Sequence, residues 1–470
     1  MKCGDYPFTT AEAGRIHATS LEILAEVGLK IAHPEIRTLL LAAGAGAGEG
    51  GTLRIPRALV EGAVRRAPRR VLLADLQGNV SEIYAGAGPL FWSGNAMYYQ
   101  REGRRAELTR ETYVEFCRVA NAFPRLHAIV GTSLGDYPPP ARDFVGFRAM
   151  AEHTQKHLRP VIFTPRGVEA ILEMAEVLLD GKPLRDHPIL SFGFTSVSPL
   201  QWSSPALEVF RVSSGFGIPL MINSEVIAGA TGPVSLAGAL ALANAEALSG
   251  VVIAQLLEPG RPVVFNLGFS HTFDMTFAET LTGAPEGALL GAGCAALARL
   301  HDLPSASWMS TESKSPDAQA AHEKSLLGTL HALGGVNLIW GIGNLDSTLT
   351  LSPEQAVIDN EIAAGILRAW RGIQVDEDHL ALATIKALRQ EADYLNSEHT
   401  LRLFRDELMD SRLMSRERWA IWAEDGGTDL AERAARRVRT LLQGPAPEHL
   451  RGSQRDKLAA IEKRWLERVA

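Results

Sequence analysis

Residues 221–250, MINSEVIAGATGPVSLAGALALANAEALSG, decide how the chain is read, because a buried strand, a glycine-rich loop and a long small-residue helix follow one another without a break. IPLMI is an apolar run of strand length that ends on Asn223, Ser224 and Glu225. IAGATGPVS then brings the glycines and the proline that a tight loop requires. Ser235 stands where a helix cap belongs, with Pro233 just ahead of it. A strand that ends polar, turns on glycine and enters a helix is the unit from which α/β enzymes build their sites.

Working outward, the same alternation recurs from Pro89 onward. Strands are predicted at LFWSG, LHAIVG, PVIFT, PILSFGF, IPLMIN, PVVFNLG, SASWMST and VNLIWG. Helices are predicted near residues 109–122, 141–157, 167–180, 204–215, 234–257, 284–300, 317–333 and 353–371. Eight strands, each followed by a helix, close into an α/β (β/α)8 TIM barrel. A doubly wound sheet is the alternative, and it would want a dinucleotide fingerprint that follows none of these strands.

The expected organisation has three parts. Residues 1–88 form an N-terminal helical cap with a hairpin, in which Thr9 or Thr10 caps the first helix, Pro56 opens the third, and RVLLADLQG with EIYAG makes the hairpin. Residues 89–375 form the barrel. Residues 376–470 form a C-terminal helical extension whose alternating charges read as a solvated exterior.

Composition narrows the function. A chain with 46% hydrophobic and 21% charged residues is globular with a substantial core. Its net charge of -7 leaves no basic footprint for nucleic acid. Cys3, Cys117 and Cys294 are too scattered for a disulfide framework or a zinc site, which fits a reducing compartment. MKCGDYPFTTAEAG lacks the apolar core of a signal peptide, and no apolar run reads as long enough to cross a bilayer, since glycine and polar residues interrupt each one. The expected location is therefore cytoplasmic, with no membrane partner.

In a barrel the chemistry lies at the C-terminal ends of the strands. Those ends carry Asn95, Thr132, Thr164, Phe194, Thr195, Asn223, Glu225, Asn266, Phe269, His271, Glu312, Lys314, Trp340, Asn344 and Asp346. No HxH, HExxH or GxSxG pattern occurs among them, so zinc is not expected. What recurs is aromatic carbon beside neutral or acidic polar groups, and aromatic faces near a carboxylate suit a quaternary ammonium ion held by cation–π contact. Most barrel aromatics are core, and an acid at a strand end is as often half of an ion pair. Trp308 and Trp340 stand out because they sit on adjacent late strands just before polar loops. Glu225 and Asn344 are the catalytic candidates; Trp308, Trp340, Phe269, His271, Phe194, Glu312, Lys314 and Asp346 are the candidates for substrate contact.

Four blocks in order carry a resemblance: IHATSLEILAEVGLKI; GATGPVSLAGALALANAEALSGVVIAQLLEPGRPVVF; TESKSPDAQAAHEKSLLGTLHALGGVNLIWGIGNLDS; and HTLRLFRDELMDSRLMSRERW followed by DGGTDLAERAARRV. Together they resemble the trimethylamine methyltransferase family. The resemblance implies a (β/α)8 barrel that moves a methyl group from a methylated amine to the cobalt of a separate corrinoid protein docked over the barrel mouth. The family's archetype carries pyrrolysine near the end of the last strand, whereas this chain has ordinary residues there, WGIGNLD at 340–346. Members without it resemble the glycine betaine methyltransferases, whose substrates are quaternary amines. Methyl transfer to another acceptor such as tetrahydrofolate, and a barrel that binds a betaine without turning it over, are the competing readings. The long C-terminal helices add the expectation of a homo-oligomer.

Overall fold

The computed structural model describes residues 6–267, 271–390 and 393–469. Eight parallel strands carry the fold: β1 (Leu90–Ser93), β2 (Leu126–Val130), β3 (His157–Arg159), β4 (Phe192–Thr195), β5 (Leu220–Asn223), β6 (Val263–Asn266), β7 (Ala306–Trp308) and β8 (Leu338–Ile342). They form a five-stranded sheet in the order β3-β2-β1-β8-β7 and a three-stranded sheet in the order β4-β5-β6. Single parallel bridges, Leu158 to Leu190 and Phe265 to Ser305, link the two sheets at both edges. The strands thus run round in chain order, the arrangement of a TIM barrel.

A helix follows each strand: α1 (Arg110–Asn121), α2 (Arg142–His153), α3 (Pro165–Leu178), α4 (Ser204–Val212), α5 (Leu236–Leu257), α6 (Pro285–Leu300), α7 (Ala318–Gly334) and α8 (Pro353–Arg371). Their starts obey local chemistry. Thr109, Thr164, Ser203, Asp317 and Ser352 each accept a backbone N–H of the first turn, and Pro165, Pro285 and Pro353 sit where the missing N–H costs nothing. Ser235 occupies the cap position of α5, but its side chain makes no cap bond.

The third strand differs from expectation. PVIFT is a loop, and the strand lies just upstream at His157–Arg159. Pro160 has no N–H to give to a ladder, so a central strand must end before it. Thr164 is not a strand end but the cap of α3, donated to by Gly167 N at 2.9 Å. The buried carboxylate of Asp143 holds this loop through the backbone N–H groups of Phe163 and Thr164.

Helix α5 corrects a second expectation. By length and composition it is apolar enough to cross a bilayer, yet it is almost entirely buried. A helix that is apolar all round needs cover on both faces. The barrel covers one, and the N-terminal helices Thr10–Glu22 and Arg57–Arg66 pack on the other. Asn244 of α5 donates to Ser20, and Ser20 donates to the Ala241 carbonyl, each at 2.8 Å. The first of these helices begins at Thr9, which forms a capping box with Glu12.

The predicted hairpin, Val71–Ala74 with Val80–Ile83, does more than cover the barrel. Val71, Leu73 and Ile83 join one interior cluster with Trp92, Ala128, Val130, Met221, Val264, Trp308, Leu338 and Trp340. They plug the end of the barrel opposite the strand C-termini. The C-terminal helices Leu430–Gln443 and Gly452–Val469 are likewise more than solvated exterior. They bury Ala434 and Val438, and Leu458, Ile461 and Trp465, against α8 and α1 and against α3 and α2.

Candidate active site

Four inward-facing side chains define the interior below the mouth. Trp308 and Trp340 are register partners on β7 and β8, with ring centroids 5.3 Å apart, and Trp92 of β1 stacks on Trp340 at 5.2 Å. Arg159, at the end of β3, sets its guanidinium carbon 5.1 Å from the Trp340 ring centroid. All four are buried.

Above them a cavity of about 370 Å³ opens among the strand ends. Asn95, Arg159, Phe194, Thr195, Asn223, Glu225 and Trp340 line it, with Phe163 and helix α4 on one side. Phe194 stands on Phe210, stacked at 4.6 Å. Asn223 donates to Thr195 at 3.1 Å and accepts from Asn266 at 2.8 Å, which fixes the polar floor. Glu225 projects into the open mouth, where solvent reaches it although protein walls it in. This desolvation raises its carboxyl above the ordinary range, and Glu246 adds to the effect.

Glu246 is the lone charge within the apolar stretch of α5. It accepts from the hydroxyls of Ser196, Ser198 and Ser224 and from the Leu200 N–H, all at 2.6 to 2.8 Å. A buried carboxylate satisfied this fully is a brace. It ties the loop after β4 and the residue before Glu225 to the helix.

The sequence candidates therefore divide. Phe194, Glu225 and Trp340 meet in the cavity. Trp308 packs in the barrel interior against Trp340 and is not among the described residues lining the cavity. Asn344 is fully buried, donating to the Asn95 carbonyl at 2.7 Å and filling the space above Gly94, so it knits β8 to β1. Glu312, Lys314 and Asp346 form a separate rim cluster. Glu312 accepts from the N–H of Gly283 and the hydroxyls of Thr282 and Ser347, Lys314 lies 3.5 Å from Asp346, and Asp346 accepts from Arg105 at 2.9 Å. These contacts tie together the loops after β6, β7 and β8. His271 begins the short strand His271–Asp274, which pairs with Ile227–Ala228; burial pushes its imidazole down to about 4, so it is neutral at pH 7. Phe269 lies outside the described residues.

Arg159 and Glu246 are the residues that sequence reasoning missed. Placing the third strand at PVIFT hid Arg159, although Pro160 was the signal that the strand ends one residue earlier. For Glu246 the signal was a single acid in an apolar helix, which demands buried partners.

The end of β8 is held by a buried ion pair. Lys324 of α7 meets Asp359 of α8 at 2.5 Å with neither side chain exposed, and Lys324 also donates to the Gly341 carbonyl at 2.8 Å. Asp359 accepts from the Gly343 N–H at 2.7 Å and from Gln355 at 2.7 Å. Gly341 and Gly343 have φ of 111° and 89°, and the β8–β1 register shifts between Ile339 and Ile342. Glycine is required at 341, where a methyl group would overlap the Met309 carbonyl.

Comparison with known proteins agrees with this architecture. The sequence profile described as Trimethylamine methyltransferase (MTTB) matches residues 6–468. A trimethylamine methyltransferase from Desulfitobacterium hafniense (strain DSM 10664 / DCB-2) is 32% identical over 456 residues, covering 94% of this chain and 90% of its own. One from Methanosarcina barkeri (strain Fusaro / DSM 804) is 31% identical over 452 residues, covering 93% and 90%. A glycine betaine methyltransferase from D. hafniense (strain Y51) is 28% identical over 449 residues, covering 94% and 93%. Among solved structures, the M. barkeri monomethylamine methyltransferase superposes with a TM-score of 0.51 at 12% identity, covering 100% of this chain and 95% of that one, a likeness of fold alone.

Proposed function

Since the chain belongs to the trimethylamine methyltransferase family and is a methyltransferase, we propose that it moves a methyl group from a quaternary amine, glycine betaine or a relative, to the Co(I) of a partner's corrinoid. The observation that carries this reading is the convergence of Glu225, Phe194 and Trp340 on one cavity at the strand ends. An acid beside aromatic carbon suits a permanent cation that has no hydrogen to donate.

The physics of the donor supports the assignment. A tertiary amine is a poor leaving group until it is protonated or otherwise activated. A quaternary ammonium already carries its charge, and displacement releases a neutral amine. Such a site needs no general acid. The corrinoid, when its protein is docked at the mouth, supplies the nucleophile that takes the methyl group. The residues here fit that acceptor, because the cavity opens at the strand ends and leaves the bound amine reachable from above.

The tasks of this chain are binding, orientation and exclusion of water. Glu225 and Phe194 hold the ammonium, and the Asn223–Thr195 floor fixes the height at which it rests. A tight carboxylate grip would stabilise the ground state more than a transition state in which the positive charge is fading.

The test is turnover. Purified protein with Co(I) cobalamin should convert glycine betaine to dimethylglycine with formation of methylcobalamin. If no betaine, carnitine or choline yields methylcobalamin, the reading is wrong; tetrahydrofolate as acceptor in a parallel reaction separates the folate alternative.

The reading extends to assembly and location. Between residues 373 and 425, Leu413 is the one buried side chain among the described residues, while Ile373, Val375, Leu395, Leu408 and Trp419 are exposed. Apolar exposure on this scale marks a contact surface, and a second copy of the chain is the proposed occupant. Light scattering should give a multiple of the chain mass, and a monomer at micromolar concentration rules the assembly out. The buried free thiols of Cys117 and Cys294 suit the reducing cytoplasm.

A further inference from the structure

We propose that Arg159 is the carboxylate anchor of the cavity, so that the substrate is a zwitterion carrying a quaternary ammonium at one end and a carboxylate at the other. This rests on the proposed function for the identity of the cationic end.

A guanidinium is rarely buried without compensation, because taking its charge out of water is costly. Arg261 shows how this protein solves the problem elsewhere. That side chain is fully buried, donates to the Ile218 carbonyl and to the hydroxyls of Ser213 and Ser214, and lies 3.5 Å from Glu258. Arg159 is also buried, with 7% of its surface exposed, but it is not treated in the same way. Its Nη1 donates to the Pro160 carbonyl at 2.8 Å, and its Nε meets no acceptor among the described residues. Burial alone pushes its pKa down to about 10, with no acidic neighbour working against that shift.

Three further features point the group at a ligand. Arg159 lines the cavity that Glu225 also lines, so positive and negative charges face one space. Trp340 supports the guanidinium as a flat platform, which orients the fork without neutralising it. Gly193 of β4 leaves the room: a methyl group there would overlap Nη2. A carboxylate is the ligand whose two oxygens match a guanidinium fork, and it supplies the missing compensation. Asn344 and Lys314, two other hydrogen-bond donors among the sequence candidates, are engaged elsewhere, Asn344 between strands and Lys314 on the rim.

The proposal predicts discrimination by the far end of the substrate. Glycine betaine and choline share a trimethylammonium head and differ in carboxylate against alcohol. Their carbon analogues, 3,3-dimethylbutyrate and 3,3-dimethylbutanol, in which a neutral quaternary carbon replaces the ammonium nitrogen, allow binding to be measured with no methyl to transfer. In calorimetry the wild-type protein should bind glycine betaine and 3,3-dimethylbutyrate at least roughly tenfold more tightly than their alcohol counterparts. Arg159→Gln should abolish that preference, and Arg159→Lys should restore part of it by returning the charge without the fork. Equal affinity of wild type for carboxylate and alcohol overturns the proposal, as does a folded Arg159→Gln variant that keeps the preference. If Arg159→Gln does not fold, the wild-type series decides alone. Binding of 3,3-dimethylbutyrate without turnover of any amine would sink the proposed reaction and leave the anchor standing.

Discussion

Gly193 and Arg159 share one volume: the Nη2 atom of Arg159 lies where the Cβ of any larger residue at 193 would stand. Neighbouring strands of the barrel thus supply a charge and the space for it. Gly193→Ala should push the guanidinium off its platform on Trp340. We expect a folded protein whose affinity for glycine betaine falls roughly tenfold, about 1.4 kcal/mol, by calorimetry. Unchanged affinity would show that the guanidinium does not need this position.

Glu225 should give binding a pH dependence. Desolvation, then Glu246, raises its carboxyl, and a quaternary cation favours the ionised form. Affinity should therefore rise with pH through a midpoint above the ordinary ~4.3 and then level off. Glu225→Gln should flatten that profile. The sign for folding is opposite: a folded-state pKa above the unfolded one makes ionisation unfavourable in the native protein, so that Glu225→Gln should raise the melting temperature at neutral pH and change it little in acid. A profile unaltered by the substitution would assign the titration to another group.

The Lys324–Asp359 pair should matter most when broken on one side. Lys324→Met leaves the Asp359 carboxylate buried with its cation gone, at a cost of about 3 to 5 kcal/mol in urea unfolding. Replacing both partners with apolar residues should recover much of that loss. A single variant within about 1 kcal/mol of wild type would mean that water or Gln355 compensates.

Trp340 supports Arg159 and lines the cavity. Trp340→Ala should weaken glycine betaine binding by about 1 to 2 kcal/mol, and Trp340→Phe should retain most of the affinity because a flat π face remains. An Ala variant with wild-type affinity would reduce Trp340 to packing.

Local sequence carried the element pattern because its causes are local. Period-2 and period-3.6 apolar runs, punctuated by caps such as Thr109 and Ser352, locate seven of the eight strands and all eight helices. The strand missed was displaced by a few residues, and that small error removed Arg159 from view. Face and register depend on where a strand ends, so one misplaced proline changes which side chain points inward.

The candidate site was legible in type and only partly in position. Aromatic and acidic residues at strand ends were readable, and Glu225, Phe194 and Trp340 do converge. On the rim, Glu312 is instead satisfied by Thr282, Gly283 and Ser347, and Lys314 pairs with Asp346, because groups on neighbouring loops pair whenever their reach allows it. Such pairing is a property of distances in space, and spacing along the chain does not encode it.

The sequence by itself determined the alternation of strands and helices, the family, and the chemical flavour of the mouth, all of which follow from periodicity, capping and residue type. Only the tertiary structure decided that α5 is a core helix covered on both faces, that the hairpin plugs the barrel, and that a buried guanidinium faces an acid of the open mouth across one cavity. Those outcomes depend on groups tens to hundreds of residues apart, Gly193 beside Arg159 or Ser20 on Ala241, and the free energy of burying a charge is fixed by its neighbours in space.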